Sequence, residues 1–173
     1  MSTPIKPRSL AAWAPGSTPA LSLAIAKRAL LDVGICEIPP GSNRSGRIDE
    51  YLKAVGSPVR QPWCAAAVSA WWREAGAEIP PRLAASCDAW MLWGKDTGRW
   101  TTDRPVIGAA VVYGTPTDAQ HIGVVVRTDP LLLSVEGNSA FAQFSREGLA
   151  VTLRLVAKDR LLGFVHPLPI PAP

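Results

Sequence analysis

The spacing of the apolar residues changes near residue 100, and this change constrains the fold more than any other feature of the sequence. Before it, apolar residues recur every three or four positions between capping and helix-ending residues, which predicts helices. After it, short runs rich in β-branched residues alternate with turn residues, which predicts strands. Helices followed by strands favour an α+β fold, in which N-terminal helices pack on a C-terminal antiparallel sheet.

The predicted helices are bounded by residues with clear capping chemistry. We expect four helices, over residues 20–33, 46–55, 64–75 and 87–93. Their predicted N-caps, where the sequence offers one, are Thr18, Ser45 and Ser86. The glycines predicted to end them are Gly34, Gly56, Gly76 and Gly94. In the first helix the apolar spacing predicts a buried face formed by Leu23, Ala26, Leu30 and Val33.

Five strands are predicted in the second half of the chain, over residues 109–113, 122–127, 131–136, 151–156 and 162–165. Residues 137–148 form a predicted polar loop. The proline-rich end, residues 166–173, is expected along the surface because proline cannot pair in a central strand. Residues 1–19 contain four prolines and predict an extended arm. A chain of 173 residues is typical of one domain, so residues 20–173 are assigned to a single domain.

Composition narrows the classes of function. Hydrophobic residues make up 47% of the chain and charged residues 18%, which is typical of a compact protein with little disorder. No apolar run approaches the roughly 18 residues of a membrane span, so we expect no stable membrane insertion. Residues 1–16 lack the continuous apolar block of a secretory signal, so we expect the protein in the cytoplasm until another system exports it.

The net charge of +4 and the pI near 9.3 favour an anionic partner, and bacterial cell wall, nucleic acid and acidic membranes all qualify. The basic residues are scattered rather than laid out as a stripe with interleaved aromatics, which argues against nucleic acid. The aspartates lack EF-hand spacing and the chain has no glycine-rich phosphate loop, so we expect neither a metal nor a cofactor. We also expect a monomer.

Cys64 is the candidate nucleophile because it stands at the start of a predicted helix. A turn at Pro62 precedes it, and Trp71 and Trp72 follow at helical spacing. A helix N-terminus carries roughly half a positive charge and favours thiolate over thiol. The three cysteines are an odd number without metal-type spacing, so at least one thiol is expected to be free. The alternative interpretation of Cys64 is a small apolar residue that opens a core helix.

A cysteine nucleophile needs a base and a group that orients the base. Of the two histidines, His121 opens a predicted strand, whereas His166 precedes a proline near the C-terminus and is assigned a structural role. Glu136 ends the next predicted strand, so an antiparallel hairpin would place it beside His121. Asn138 is either a supporting group or a plain turn residue. An α+β layout would bring the helix start with Cys64 against these strands.

These segments resemble those of a known family. The sequences Gln-Pro-Trp-Cys-Ala-Ala at 61–66, Gln-His-Ile-Gly-Val at 120–124 and Val-Glu-Gly-Asn at 135–138 are similar to those of CHAP domains, the cysteine, histidine-dependent amidohydrolases/peptidases. The resemblance spans roughly residues 22–167. It implies the NlpC/P60-like papain superfold and cleavage of amide bonds in bacterial peptidoglycan, often by phage endolysins.

The resemblance also implies a role for each polar residue of the set. The nucleophile would be Cys64 and the base His121. Glu136 would orient the base, and Asn138 would be a fourth polar member. The chain departs from many relatives at residues 107–113, where it lacks the Gly-Asp pair that precedes this strand in them.

Substrate contacts are expected from residues near the nucleophile. Many CHAP domains carry a glutamine immediately before the cysteine, where this chain has Trp63. The backbone N–H of Cys64 is the expected oxyanion donor, and the Gln61 side chain is a second candidate. Trp63 and Trp93 are candidates to stack on a sugar or to wall off the cleft, although most tryptophans belong to a core.

Three roles fit these features. The first is a phage-type endolysin that waits in the cytoplasm until its release, and the second is a contact-delivered antibacterial amidase toxin. The third is a non-catalytic wall-binding or phage-structural module on a CHAP fold, against which the intact Cys64, His121 and Glu136 argue. Glu37 is the remaining candidate for a lysozyme-like acid, but it has no evident carboxyl partner in the sequence.

Overall fold

Four helices precede a six-stranded antiparallel sheet in the computed structural model, which describes residues 19–140 and 148–170. The helices are α1 (Ala20–Leu31), α2 (Gly46–Ala54), α3 (Cys64–Glu74) and α4 (Cys87–Asp96). The strands are β1 (Trp100–Thr101), β2 (Ala110–Thr115), β3 (Asp118–Arg127), β4 (Leu133–Ser139), β5 (Ala150–Leu155) and β6 (Leu161–Val165), and a 3₁₀ turn covers Lys158–Arg160. The α+β class is confirmed. The predicted cap Thr18 and nearly all of the predicted arm lie outside the described residues.

The strands lie in the order β1-β6-β2-β3-β4-β5, and every neighbouring pair is antiparallel. Helices α1, α3 and α4 pack on the sheet. The core between them includes the sheet residues Ala110, Val112, Ile122, Val124 and Val135. A smaller apolar cluster contains Ala109, Val111, Tyr113, Val125 and Phe164. Because β2 and β3 contribute to both clusters, their sequences are nearly continuous apolar runs.

Helix α3 is buried along its first nine residues. All nine residues from Cys64 to Trp72 are buried, and α1, α2, β3 and β4 all pack against the helix. Gly137 of β4 permits this close approach, since a Cβ there would lie 2.7 Å from the ring of Trp63 and 2.9 Å from Ala67. In the described part of the chain, no helix has the length and apolar character needed to cross a bilayer.

The predicted helix starts are confirmed where the structure describes them. The Ser45 hydroxyl accepts a hydrogen bond from the Ile48 N–H, and the Ser86 hydroxyl accepts one from the Ala89 N–H. Helix α3 begins at Cys64, as expected, but without a side-chain cap. Its first N–H groups are therefore left for other partners.

The predicted buried face of α1 is confirmed at Ala26 and wrong at its other three positions. The buried residues are Ser22, Ile25, Ala26 and Ala29, whereas Leu23, Leu30 and Val33 are exposed. Three of these four side chains are small, because the helix lies close to backbone at Ser22: a Cβ at Gly108 would be 2.5 Å from the carbonyl oxygen of Ser22. The helix also ends earlier than predicted, at Leu31, with Asp32 as its C-cap.

Strands β3 and β4 are longer than predicted. β3 begins at Asp118 because Thr115 pairs with it across a tight hairpin, so the ladder continues to the turn. β4 continues to Ser139, which pairs with β5, so residues 137–139 are not part of a loop. His121 and Glu136 therefore lie inside strands rather than at strand ends. The two-residue strand β1 was not predicted.

Two other expectations are also corrected. Gly94 lies within α4 rather than at its end, and it packs on β6, where a Cβ would be 2.8 Å from the side chain of Val165. At the proline-rich end Leu168 and Pro169 are exposed as predicted, but His166 and Pro167 are buried. Residues 171–173 lie outside the described part of the chain.

A buried carboxylate ties the first three helices together. Asp32 accepts hydrogen bonds from the Tyr51 hydroxyl of α2 at 2.5 Å and from the Trp71 indole of α3 at 2.8 Å. The guanidinium groups of Arg28 and Arg47 lie 3.0 and 3.1 Å from it. Burial, the largest influence, would raise the pKa of Asp32. The hydrogen bonds from Tyr51 and Trp71 and the charge of Arg47 outweigh burial and lower that pKa.

We predict that Asp32→Asn lowers the free energy of unfolding at neutral pH by about 2 kcal/mol, because the charged acceptor of these hydrogen bonds is lost. The control Asp96→Asn, at an exposed site in α4, should change it by less than about 0.5 kcal/mol. Urea denaturation followed by circular dichroism measures both.

The difference in free energy of unfolding between the native chain and Asp32→Asn should depend on pH. A lowered carboxyl pKa contributes stability above the unfolded value of about 3.9, and this contribution is lost as the pH falls through the folded value. The gap between the native chain and Asp32→Asn should therefore shrink in acid. A gap that widens in acid, or an equal loss in Asp96→Asn, would contradict the role given to Asp32.

Candidate active site

Cys64 lies at the N-terminal end of α3 and borders a cleft of about 270 Å³. The other residues that line the cleft are Pro62, Ala85, Ser86, Cys87, Asp88, Ala119, Gln120, His121 and Asn138. Only 7% of Cys64 is exposed, so the thiol is reached through this cleft. The backbone N–H of Ala65, one of the donors that a helix start leaves unpaired, lowers the pKa of the Cys64 thiol.

The side chains of His121 and Glu136 meet across neighbouring strands. Nε2 of His121 in β3 lies 3.0 Å from Oε2 of Glu136 in β4. A Cβ at Gly123 would lie 2.6 Å from Cγ of Glu136, so the missing side chain at Gly123 makes room for the carboxylate. With Nε2 occupied by Glu136, Nδ1 is the ring nitrogen left for Cys64.

Glu136 is fully buried, and neutral donors support its carboxylate in addition to His121. The Tyr113 hydroxyl donates to Oε1 at 2.8 Å, and the Ser134 hydroxyl donates to the same oxygen at 2.7 Å. The Tyr113 ring also stacks on His121, with 6.0 Å between centroids. Nε of Arg154 lies 3.8 Å from Oε2. A buried carboxylate with these partners is held in one position and can fix the imidazole.

The surroundings of Cys64 favour its thiolate. The hydrogen bond from the Cys87 thiol is the largest influence, and it lowers the pKa of Cys64. Burial opposes this effect, whereas the hydrogen bond and charge of His121 and the N–H of Ala65 add to it. The pKa of the Cys64 thiol therefore lies well below its usual value, as expected for a reactive cysteine.

The surroundings also favour the charged forms of His121 and Glu136. Burial is the largest influence on His121 and would lower its pKa, but the hydrogen bonds and charges of Cys64 and Glu136 outweigh burial and raise the pKa to about 10. At Glu136 burial would raise the pKa, and the contact with His121 reverses this and lowers it. The surroundings therefore favour a thiolate at Cys64, an imidazolium at His121 and a carboxylate at Glu136.

Cys87 is a site residue that the sequence analysis missed. It is the first residue of α4, and its Sγ lies 3.7 Å from Sγ of Cys64. The two cysteines are 23 positions apart on separate helices, so no local spacing connects them. The one available signal is that each cysteine opens a predicted helix. Tyr113 and Ser134, which hold Glu136, gave no signal in the sequence.

The structure brings Asn138 into the same cleft as Cys64 and His121, where it is 1% exposed and has a positive φ of 52°.

His166, the second histidine of the chain, is not among the described residues that line the cleft. Its Nε2 donates to the Arg104 carbonyl at 2.8 Å, and burial lowers its pKa. Among the described residues, no group of three or more His, Cys, Asp or Glu side chains is arranged to hold a metal ion.

The aromatic residues predicted to contact substrate are not among the described residues that line the cleft. Trp63 is fully buried, and its indole N–H donates to Glu37 at 3.0 Å, so this ring packs inside the protein. Trp93 packs edge-on against Trp72 and lies under the Arg99 guanidinium. The described residues that line the cleft include neither Trp93 nor Gln61. Gln61 is exposed, and it directly precedes the lining residue Pro62 in the sequence. The two tryptophans therefore serve the core.

We predict that iodoacetamide alkylates Cys64 rapidly at pH values well below the 8.5 or so at which an ordinary cysteine ionises. The reason is that Cys87 and His121 stabilise the thiolate. In His121→Gln the loss of the positive charge should move the midpoint of the pH profile up by about one unit or more. Peptide mapping follows the rates, with the exposed Cys36 as an internal reference for the reagent. An unchanged midpoint in His121→Gln would show that His121 does not stabilise the thiolate.

We also predict energetic coupling between Tyr113 and Glu136. Tyr113→Phe should lower the free energy of unfolding by about 1–2 kcal/mol, because a buried carboxylate loses a donor. The same change should cost less in a Glu136→Gln background, where the acceptor is neutral. Ser134→Ala, measured in both backgrounds, tests the second donor to the same oxygen. Urea denaturation gives the free energy of unfolding of each variant in the double-mutant cycles. Strictly additive losses would contradict the stabilisation of the Glu136 carboxylate by Tyr113 and Ser134.

Comparison with known proteins supplies no relative from which a function could be transferred, since a scan against protein-family models gives no match and no curated protein matches the chain. Function is therefore inferred from the residues of the cleft and from the resemblance of the three segments described above.

Proposed function

We propose that the protein is a cysteine amidohydrolase or peptidase of the CHAP type, with a papain-like fold, that cleaves an amide bond of bacterial peptidoglycan. The observation that carries the proposal is the buried His121–Glu136 contact of 3.0 Å beside Cys64. A thiol at a helix N-terminus, an imidazole and a carboxylate that orients the imidazole are what nucleophilic cysteine catalysis requires.

The first half of the reaction forms an acyl-enzyme. The Cys64 thiolate attacks the carbonyl carbon of the bound amide, and a C–S bond forms. Backbone N–H groups at the start of α3 stabilise the developing oxyanion, and the N–H of Cys64 is the candidate donor. His121 then donates its proton to the amine nitrogen as the C–N bond breaks.

The second half of the reaction releases the acid. Neutral His121 takes a proton from water, which attacks the thioester carbonyl, and Cys64 leaves as the thiolate. Glu136 holds the ring through Nε2 in both halves.

The rate of hydrolysis should fall in acid as Cys64 becomes protonated. It should also fall as the pH rises through about 10, where His121 loses the proton that the departing amine needs.

Two features support peptidoglycan as the substrate. The three segments around Cys64, His121 and Glu136 resemble those of enzymes that act on it, and the net charge of +4 suits an anionic cell wall. An endopeptidase and an N-acetylmuramoyl-L-alanine amidase both fit this chemistry. The biological role would be that of a phage-type endolysin or of a delivered antibacterial toxin, in either case acting on the wall after release.

A glycosidase is less well supported. Glycosidases use two carboxyl groups on either side of the bond to be broken. Glu37 is buried and accepts a hydrogen bond from Trp63, and it is absent from the described residues that line the cleft. Glu136 faces His121. Neither carboxyl group is therefore placed as an acid beside a sugar.

Digestion of purified sacculi tests the proposal. The native chain should release new amino groups without new reducing ends, and Cys64→Ala should abolish this release. His121→Ala should lower the rate by about 10²–10⁴-fold, the usual cost of losing a general acid–base. Glu136→Gln should lower it less, because the Cys64–His121 pair survives. Circular dichroism checks that every variant is folded.

Cys36→Ala is the matched control, because this exposed thiol lies outside the cleft, and it should keep the native rate. Binding to sacculi without release of amino groups would favour a wall-binding module. Reducing ends that persist in Cys64→Ala would point to a glycosidase and overturn the proposal.

A further inference from the structure

Two thiols face each other in the cleft. The sulfurs of Cys64 and Cys87 are 3.7 Å apart, and both residues are in the reduced form. Each is the first residue of a helix, and each lines the cleft. Their exposed fractions are 7% and 8%. Amide hydrolysis uses one nucleophilic sulfur and leaves the covalent chemistry of the second unassigned.

We propose that Cys64 and Cys87 form a dithiol site that a peroxide oxidises to an intramolecular disulfide and that a thiol reductant restores. Cys64 reacts with the peroxide, and Cys87 resolves the product. This modification needs no wall substrate, so it holds whether or not the chain hydrolyses peptidoglycan. Only its effect on hydrolysis rests on the proposed function.

The arrangement of α3 and α4 allows a disulfide to form between Cys64 and Cys87. A disulfide bond is about 2.05 Å long, so the sulfurs must approach each other by roughly 1.7 Å. Side-chain rotation can supply part of this shift. Residues 80–86, which lead into α4, lie outside helices and strands and can supply the rest. The third cysteine, Cys36, is exposed and does not line the cleft, and its backbone forms an isolated β-bridge with Ala150.

The surroundings favour a sulfur that reacts with peroxide. Cysteines of this kind are stabilised as thiolates, are accessible to a small oxidant and often have a resolving cysteine beside them. The start of α3 and His121 both stabilise negative charge on Cys64. The cleft of about 270 Å³ admits a molecule as small as hydrogen peroxide. Cys87 supplies the neighbouring thiol.

The oxidation balances with two thiols and one hydrogen peroxide. The Cys64 thiolate attacks a peroxide oxygen, so an S–O bond forms, the O–O bond breaks, and the departing oxygen leaves as water with the proton of His121. The Cys87 sulfur then attacks the sulfenic sulfur, so the S–S bond forms and the S–O bond breaks. The hydroxide leaves as water with the Cys87 proton. The two thiols lose two electrons, and the peroxide is reduced to two waters.

The disulfide has two consequences for the site. It removes the Cys64 thiolate, so the oxidised chain cannot attack a carbonyl carbon until it is reduced. It also protects Cys64 from further oxidation, because a sulfenic acid captured by a thiol does not proceed to the irreversible sulfinic acid.

The test treats the full native chain and Cys87→Ser with hydrogen peroxide and follows both by mass spectrometry. The native chain should lose the mass of two hydrogen atoms, and its tryptic map should join peptides 61–73 and 83–95. Dithiothreitol should restore the original mass. In Cys87→Ser, Cys64 should instead gain oxygen and proceed to the sulfinic acid.

Cys36→Ser is the control and should leave the cross-link unchanged, because this thiol lies outside the cleft. A cross-link through Cys36, or sulfinic acid at Cys64 in the native chain at the dose that produces it in Cys87→Ser, would overturn the proposal. If Cys87→Ser does not fold, the peptide map of the native chain decides between a Cys64–Cys87 cross-link and these outcomes.

Sacculus digestion before and after oxidation separates the two proposals. Hydrolysis should fall in proportion to the disulfide fraction and return with dithiothreitol. A chain that forms the disulfide but never hydrolyses sacculi would contradict the hydrolase proposal alone. A chain that hydrolyses sacculi but forms no Cys64–Cys87 cross-link would contradict the dithiol proposal alone.

Discussion

The burial of helix α3 from Cys64 to Trp72 is the constraint on which the rest of the structure depends. A close-packed helix cannot slide or turn without opening the core, so its N-terminus and Cys64 are held in place. Contacts along the helix add to this. The indole of Trp71 donates to Asp32, and Gly137 lets Trp63 approach β4 closely. The Cys64 thiol is therefore positioned by core packing on rigid elements rather than by a loop.

The same packing places several charges where they stabilise one another. A buried carboxylate is costly unless it is paired and hydrogen-bonded, and Glu136 is supported by Tyr113, Ser134 and His121. His121 in turn lies between Glu136 and the Cys64 thiolate, so charges of alternating sign follow one another. The proposed hydrolysis and the proposed oxidation both begin from this thiolate, which is why the two reactions would compete for one sulfur.

Features that depend on a few neighbouring residues could be predicted from the sequence. The α+β order, the start of α4 after Ser86 and the start of α3 at Cys64 follow from capping chemistry and apolar spacing. Features that depend on distant partners could not. Leu23 faces outward because α1 lies against the backbone at Gly108, and β4 continues to Ser139 because β5 pairs with it. Local spacing contains no information about either contact.

At the site, the sequence by itself identified three candidate residues and their order along the chain. Cys64 at a helix start, His121 in one strand and Glu136 in the next were found from residue type and spacing alone. Only the tertiary structure decided that Cys87 lies beside Cys64. It also decided that Gly123 leaves room for the Glu136 carboxylate. The physical reason is that these distances join elements far apart in sequence, so they are set by how α3 and α4 pack on the sheet and not by local conformational preference.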